Sequence, residues 1–232
     1  MMKDFLCNSL FFGVFISILG YEIGLYLKKK FKTPIFNPLL ISIVSVISLL
    51  LIFNIDYNIY YTSAKYLNYL LTPSTVCLAI PLYQQLELLK NNFKAIILGI
   101  LSGVIASLGS VSLFAIIFQL THEQYVTLLP KSITTAIGMG LSEELGGIVT
   151  ITVAVIIVTG ILGSIIAEVI CKVFKISNPI AKGIAIGTAS HAIGTTKAME
   201  MGEIEGAMSS LAIAVSGLFT VIGASILVNF IK

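Results

Sequence analysis

Charge is what this sequence has least of. Only 11% of its 232 residues are charged, tryptophan is absent, and there are two histidines and three cysteines. A soluble domain carries about 25% charged residues, so a water-exposed globule is excluded. The net charge is only +3 and the lysines gather near the ends of apolar stretches, which leaves no basic surface for nucleic acid. Cys7, Cys77 and Cys171 stand alone, without CxxC or Cys/His spacing. They read as small packing residues, not as metal ligands or a redox centre. HExxH, G-x-S-x-G and phosphate-loop patterns are all missing, so nothing points to an enzyme, a metal or a cofactor. His122-Glu123 lacks the second histidine of a zinc site and reads as loop.

What the chain has in abundance is hydrocarbon: 57% hydrophobic residues and a mean hydropathy of +1.02. Apolar runs near the length of a membrane span recur throughout, while period-2 alternation is absent. The expectation is an all-α, polytopic helical membrane protein with about seven to eight hydrophobic segments, forming a single domain over residues 1–232. The segments run approximately from Phe5 to Leu27, Ile35 to Phe53, Tyr60 to Leu89, Phe93 to Leu120, Tyr125 to Leu145, Gly147 to Phe174, Asn178 to Met199 and Ile204 to Ile231. The first has its positive cluster after the apolar run and no small-residue cleavage site, so it reads as a retained helix.

Three segments depart from a plain span. The third contains Thr72, Pro73, Ser74, Thr75 and Pro81, and an internal proline breaks or kinks a helix. The fifth, LPKSITTAIGMGLSEELGG, has Pro130 at an expected helix start, with Glu143 and Glu144 in a loop. The seventh starts at Asn178-Pro179 and holds Gly183, Gly187 and Gly194. Broken helices at membrane depth persist where they are buried in protein or line a polar cavity, and in secondary transporters they build the substrate site.

An internal repeat accompanies them. Ile18-Leu19-Gly20, Phe31-Lys32 and Asn37-Pro38 correspond to Ile161-Leu162-Gly163, Phe174-Lys175 and Asn178-Pro179. Lys28, Lys29, Lys30 and Lys32 place the first loop in the cytoplasm by the positive-inside rule. Lys172, Lys175 and Lys182 join that side only if the fifth segment is re-entrant, giving a parallel repeat. A fully spanning fifth segment makes the repeat inverted, and both arrangements remain open at this stage.

Within these segments, His191 is the sharpest candidate, because imidazole can bind an anion or pass a proton. The alternative is a neutral ring hydrogen-bonded inside the bundle. Thr188, Ser190, Thr195 and Thr196 lie within about two helical turns of it. Asn178 opens the same segment. Lys182 reads as snorkelling to the interface and Lys197 as doing the same or binding substrate. Glu205 and Ser209, four residues apart, share a face of the next helix that can meet the His191 segment. Glu200 and Glu203 read as solvated loop charges. In the fifth segment Lys131, Ser132, Thr134 and Thr135 follow Pro130, where backbone N–H groups of a helix start offer an anion site or ordinary capping. Gly99 and Gly103 suggest close helix packing.

The runs NPIAKG from Asn178, GTASHAIGT from Gly187, LPKSITT from Leu129 and EGAMSS from Glu205 resemble the LrgB/CidB family over essentially the whole chain. Ala136 stands where many members have proline. The resemblance implies a multi-pass protein of the bacterial plasma membrane with an LrgA- or CidA-like small membrane partner. It also implies either of two roles, control of murein hydrolase activity and autolysis or movement of small carboxylates. The residues favour a secondary transporter subunit for a monocarboxylate such as glycolate, glycerate or pyruvate. The ligand would be held by Thr134, Thr135, Thr188, Ser190 and backbone N–H groups, with His191 as a third donor or proton coupler. The rival is an antiholin-like regulator. A bundle of this size in a lipid bilayer further suggests a homo-oligomer.

Overall fold

Asparagine followed by proline starts a helix twice in this chain, each time in the same way. Asn37 and Asn178 both adopt φ −66°, ψ 124°, and each side-chain oxygen accepts the N–H groups two and three residues on. Proline at the first helical position loses no bond, since that N–H has no partner inside a helix. The shared cap is the structural form of the repeat seen in the sequence. Asn178→Ala should remove about 1 kcal/mol of stability, lowering the thermal midpoint in detergent by roughly 2–4 °C. Asn178→Asp should keep it.

The computed structural model describes residues 9, 11–31, 33 and 36–231. Cys7, Lys32 and the start of the first apolar segment lie outside them, as do the side chains of Thr72 and Thr75. Two units separate, residues 1–77 and 78–232. All regular structure among the described residues is helical.

In the first unit, α1 (Phe12–Phe31) packs on α2 (Pro38–Ile52) and α3 (Tyr57–Ala64). Gly24 lets α1 lie directly on Pro38, where an added Cβ would sit 2.6 Å from its Cα. Ser42 donates to the Ser17 carbonyl at 3.0 Å. A 3₁₀ turn (Lys65–Leu70) and α4 (Leu71–Cys77) follow. The expected break in the third segment is therefore present, and in the second unit it continues as α5 (Ala79–Gln84) and α6 (Leu86–Asn91).

The second unit is built on three helices long and apolar enough to cross a membrane: α7 (Phe93–Ile117), α10 (Val149–Val173) and α12 (Glu203–Leu227, extended to Phe230 by a 3₁₀ turn). Large apolar side chains such as Leu98, Ile105, Val158 and Leu218 point outward, as lipid-facing surfaces require. Between them lie α8 (His122–Leu128), α9 (Thr135–Glu144) and α11 (Pro179–Met201).

These shorter pieces do not cross; they turn back. α11 contains one non-helical residue, His191, and positions equidistant from it sit at equal heights on α12. Gly187 and Thr195 both meet Ser209, while Gly183 and Met199 meet Glu205 and Gly206. The arms 179–190 and 192–201 are therefore antiparallel, and α11 is a hairpin whose two ends lie at one end of the unit. The fifth segment is a second hairpin turning near Thr134. Thr127 on one arm and Ser142 on the other both bond Thr152, and Pro130 faces Gly138. Pro130 lies in this turn, so the expected helix start there is corrected: α9 begins five residues later. Glu143 and Glu144 form its last turn instead of a loop, and His122 begins α8, with its Nδ1–H donating to the Ile231 carbonyl at 2.7 Å.

α10 thus runs opposite to α7, and each is followed by a re-entrant hairpin entering from the end it has just reached. The second unit holds an inverted pair of helix-plus-hairpin elements, in addition to the Asn-Pro repeat.

Candidate functional site

The two hairpin tips converge halfway along the long helices. On α7, Gly103 touches Thr188 of one hairpin and Ser107 bonds Ser132 of the other at 3.0 Å, one helical turn away. On α10, Ile156 meets both, its carbonyl facing His191 and its side chain packed against Gly138.

His191 forms the first tip. Its backbone is at φ 42°, ψ −141°, a region natural to glycine and costing other residues about 1–3 kcal/mol. The imidazole is 2% exposed and holds the turn in place, Nε2 lying 2.9 Å from the Ile156 carbonyl. A carbonyl only accepts, so Nε2 carries the proton. Gly160 and Gly163 of α10 form the saddle: a Cβ at Gly160 would lie 2.7 Å from the imidazole Cε1, and one at Gly163 would fall on the Ser190 hydroxyl. Thr195 donates to the His191 carbonyl at 3.0 Å and shares a 2.7 Å hydrogen bond with Ser209, tying the returning arm to α12.

The opposite tip is Lys131 to Thr134. Lys131 Nζ donates to Ser132 Oγ at 3.1 Å, and Ile133 is buried in the core with Leu129. Thr134 holds the N-cap position of α9 but its side chain makes no capping bond. Thr134 and Thr135 are half-buried.

A cavity of about 980 Å³ opens between α7, α10 and the two tips. Its polar lining includes Lys131 and Ser132 on one hairpin, Thr188 and Ser190 on the other, and Ser107 and Ser110 on α7. The rest of the wall is apolar, with small residues such as Gly99, Ala181, Ala185 and Ala189 beside Leu162, Ile166, Ile180 and Ile184. Thr188 is 4% exposed, and among the described residues its Oγ1 is a buried side-chain polar atom without a hydrogen-bond partner.

A second cavity, about 710 Å³, lies at the base of the α11 hairpin beside an ion-pair network. Lys197 pairs with Glu168 of α10 and, at 3.4 Å, with Glu200; Glu168 also reaches Lys172 at 4.0 Å; Lys182 lies 3.8 Å from Glu205. Lys182 and Lys197 are therefore both ion-paired at the hairpin base. Glu200 belongs to a helix and to this network, while Glu203 is exposed at the start of α12.

Of the residues singled out from sequence, Thr188 and Ser190 line the larger cavity at the tip, and Asn178 lines it at the far end while capping α11. His191, Thr195 and Ser209 lie behind its wall as a hydrogen-bonded brace. Glu205 sits at the hairpin base, and Thr134 and Thr135 do not line the cavity. Lys131 and Ser132, grouped with them in the sequence, do line it. Ser107, Ser110 and the Gly160/Gly163 saddle had no local signal beyond small residues at helical spacing.

The LrgB-like family model matches residues 17–230. The chain is 39% identical over 207 residues to the holin-like protein CidB of Staphylococcus aureus, covering 89% of this chain and 90% of that protein. It is 37% identical over 224 residues to the antiholin-like protein LrgB of Bacillus subtilis, covering 96% and 97%. The holin-like protein CidB of Staphylococcus epidermidis is 36% identical over 207 residues, covering 89% and 90%. No solved structure matches.

Proposed function

Because this chain belongs to the LrgB-like family, we propose that it is a multi-pass bacterial plasma-membrane protein that carries small monocarboxylates such as pyruvate, glycolate or glycerate between its hairpin tips. The observation that carries this reading is the meeting of two re-entrant hairpins, entering from opposite ends, at a hydroxyl-lined cavity halfway along α7 and α10. Irregular backbone survives at membrane depth only in such settings, and carriers place their sites there. A site reached from either end by displacing one hairpin gives alternating access without a continuous pore.

Orientation follows from the lysines. Lys94, Lys172, Lys175 and Lys182 gather at the end from which the α11 hairpin enters, and the opposite end of the second unit shows only His122, Glu123, Glu143 and Glu144 among its described charged groups. The positive-inside rule puts the α11 hairpin on the cytoplasmic side.

A second reading rests on the names of the relatives, which are holin-like and antiholin-like. Under it the chain restrains or assists a small LrgA- or CidA-like membrane partner and affects permeability and lysis. Those names agree with this reading more closely than with any particular solute. Vesicles containing the purified chain, with and without a co-expressed small partner, separate the two. We expect uptake of radiolabelled pyruvate that saturates and is inhibited by excess glycolate. Leakage indifferent to solute identity, or no flux, overturns the carrier reading and leaves the regulatory one.

A further inference from the structure

We infer that Lys131 and Thr188, facing one cavity from opposite hairpins, form a two-point site for a small anion, with the Lys131 ammonium as its counter-charge. The inference takes its ligand class from the carrier reading and its location from the geometry.

The chain contains no arginine, so lysine or histidine must supply any cationic recognition. His191, the obvious choice from sequence, has its Nε2–H occupied by the Ile156 carbonyl and does not line the cavity. At the α11 hairpin base, Lys197 pairs with Glu168 and Glu200, and Lys182 with Glu205. Lys131 differs from all of these. It lines the cavity at mid-depth, its ammonium donates to Ser132, and no acidic group pairs with it among the described residues. An unpaired ammonium at such depth costs several kcal/mol and persists where it serves a pathway or a ligand.

Thr188 supplies the second, independent observation. Its hydroxyl is buried without a partner, an arrangement that costs stability unless something else completes it. Thr188 rests on Gly103 and Ser132 bonds Ser107, so their contact residues on α7 are four positions apart, about 6 Å along its axis. A short 2-oxo or 2-hydroxy acid suits this pair, with its carboxylate at Lys131 and Ser132 and its oxo or hydroxyl oxygen toward Thr188. The apolar wall leaves room for a short carbon chain, and none of the described acidic residues lines the cavity to oppose its charge.

The test uses the full-length protein, binding of radiolabelled pyruvate in detergent and uptake into vesicles, with the K131Q, K131R and T188V variants. We expect K131Q to weaken pyruvate binding roughly ten- to a hundredfold, the worth of a charge-assisted hydrogen bond. K131R should stay within about threefold, because the charge is kept. T188V, which preserves shape, should weaken binding roughly three- to tenfold at an unchanged thermal midpoint. Competition by neutral pyruvamide should be poor against the unaltered protein and comparable to pyruvate against K131Q, a change of selectivity that a merely structural lysine would not produce. Normal pyruvate binding and uptake by K131Q overturn the inference and leave the carrier reading standing. Binding that requires Lys131 without any uptake supports the site and overturns the carrier reading. Absence of pyruvate binding to the unaltered protein overturns the site. Should K131Q fail to fold, T188V and K131R decide: normal binding by T188V, or loss in K131R, overturns it.

Discussion

Gly187→Leu is expected to abolish accumulation of folded protein in the membrane. A Cβ at this position would lie 2.8 Å from the Cα of Ser209 and closer still to its carbonyl oxygen, so the obstacle is backbone, not a movable side chain. Gly183, one turn earlier, meets the Glu205 carbonyl in the same way. Together they let the entering arm of the α11 hairpin lie directly on α12. Small residues permit this close approach in membrane helices, where packing takes over the role of the hydrophobic effect. Separating the helices would also pull Thr195 from Ser209 and open the hairpin, at a cost of more than about 3 kcal/mol. Gly140 in α9 is the control: no atom lies within 4 Å of its Cβ position, and Gly140→Ala should be neutral or stabilise by up to about 1 kcal/mol. Folded yield by size-exclusion chromatography in detergent reads both. A monodisperse Gly187→Leu protein at normal yield would contradict the packing.

The second large effect concerns the tip. His191→Ala loses the hydrogen bond that the ring adds to the helical Ile156 carbonyl, opens a void beside Gly160, and keeps a side chain at positive φ. These losses together should amount to about 3–5 kcal/mol. His191→Gly suffers the same losses but relieves the backbone, recovering about 1 kcal/mol. The ordering of thermal midpoints should therefore be native, then glycine, then alanine. An alanine variant as stable as the glycine one would mean that the tip carries no backbone strain. Should His191→Ala retain enough fold to assay, residual pyruvate uptake would place the ring as a brace and not as a ligand.

Much of this architecture was legible beforehand because hydrocarbon content and proline act locally. Pro73, Pro81 and Pro130 announce interruptions wherever they fall, and Asn178-Pro179 announces a helix start by its own capping chemistry. The reversal at His191 was not legible in the same way. Glycines flank it, yet the break falls on the one bulky polar residue among them, because the ring finds a carbonyl on a neighbouring helix. That partner, Ile156, is 35 positions away, and no spacing rule encodes it. The division of labour in LPKSITT was similarly hidden. Thr134 and Thr135 carry the stronger capping signal, but the turn geometry sends Lys131 and Ser132 into the cavity. The ion pairs at the hairpin base leave no local signature, because Glu168 lies within a span that otherwise reads as lipid-facing.

Antiparallel arms have an electrical consequence. Each short helix carries partial charges of opposite sign, about half a unit, at its two ends. At each tip the negative end of the incoming arm meets the positive end of the outgoing one, so the two fields largely cancel within a few ångströms. A bound anion would gain little from helix ends in this molecule, and its attraction to the bundle centre falls to a single fixed ammonium on one of the two tips.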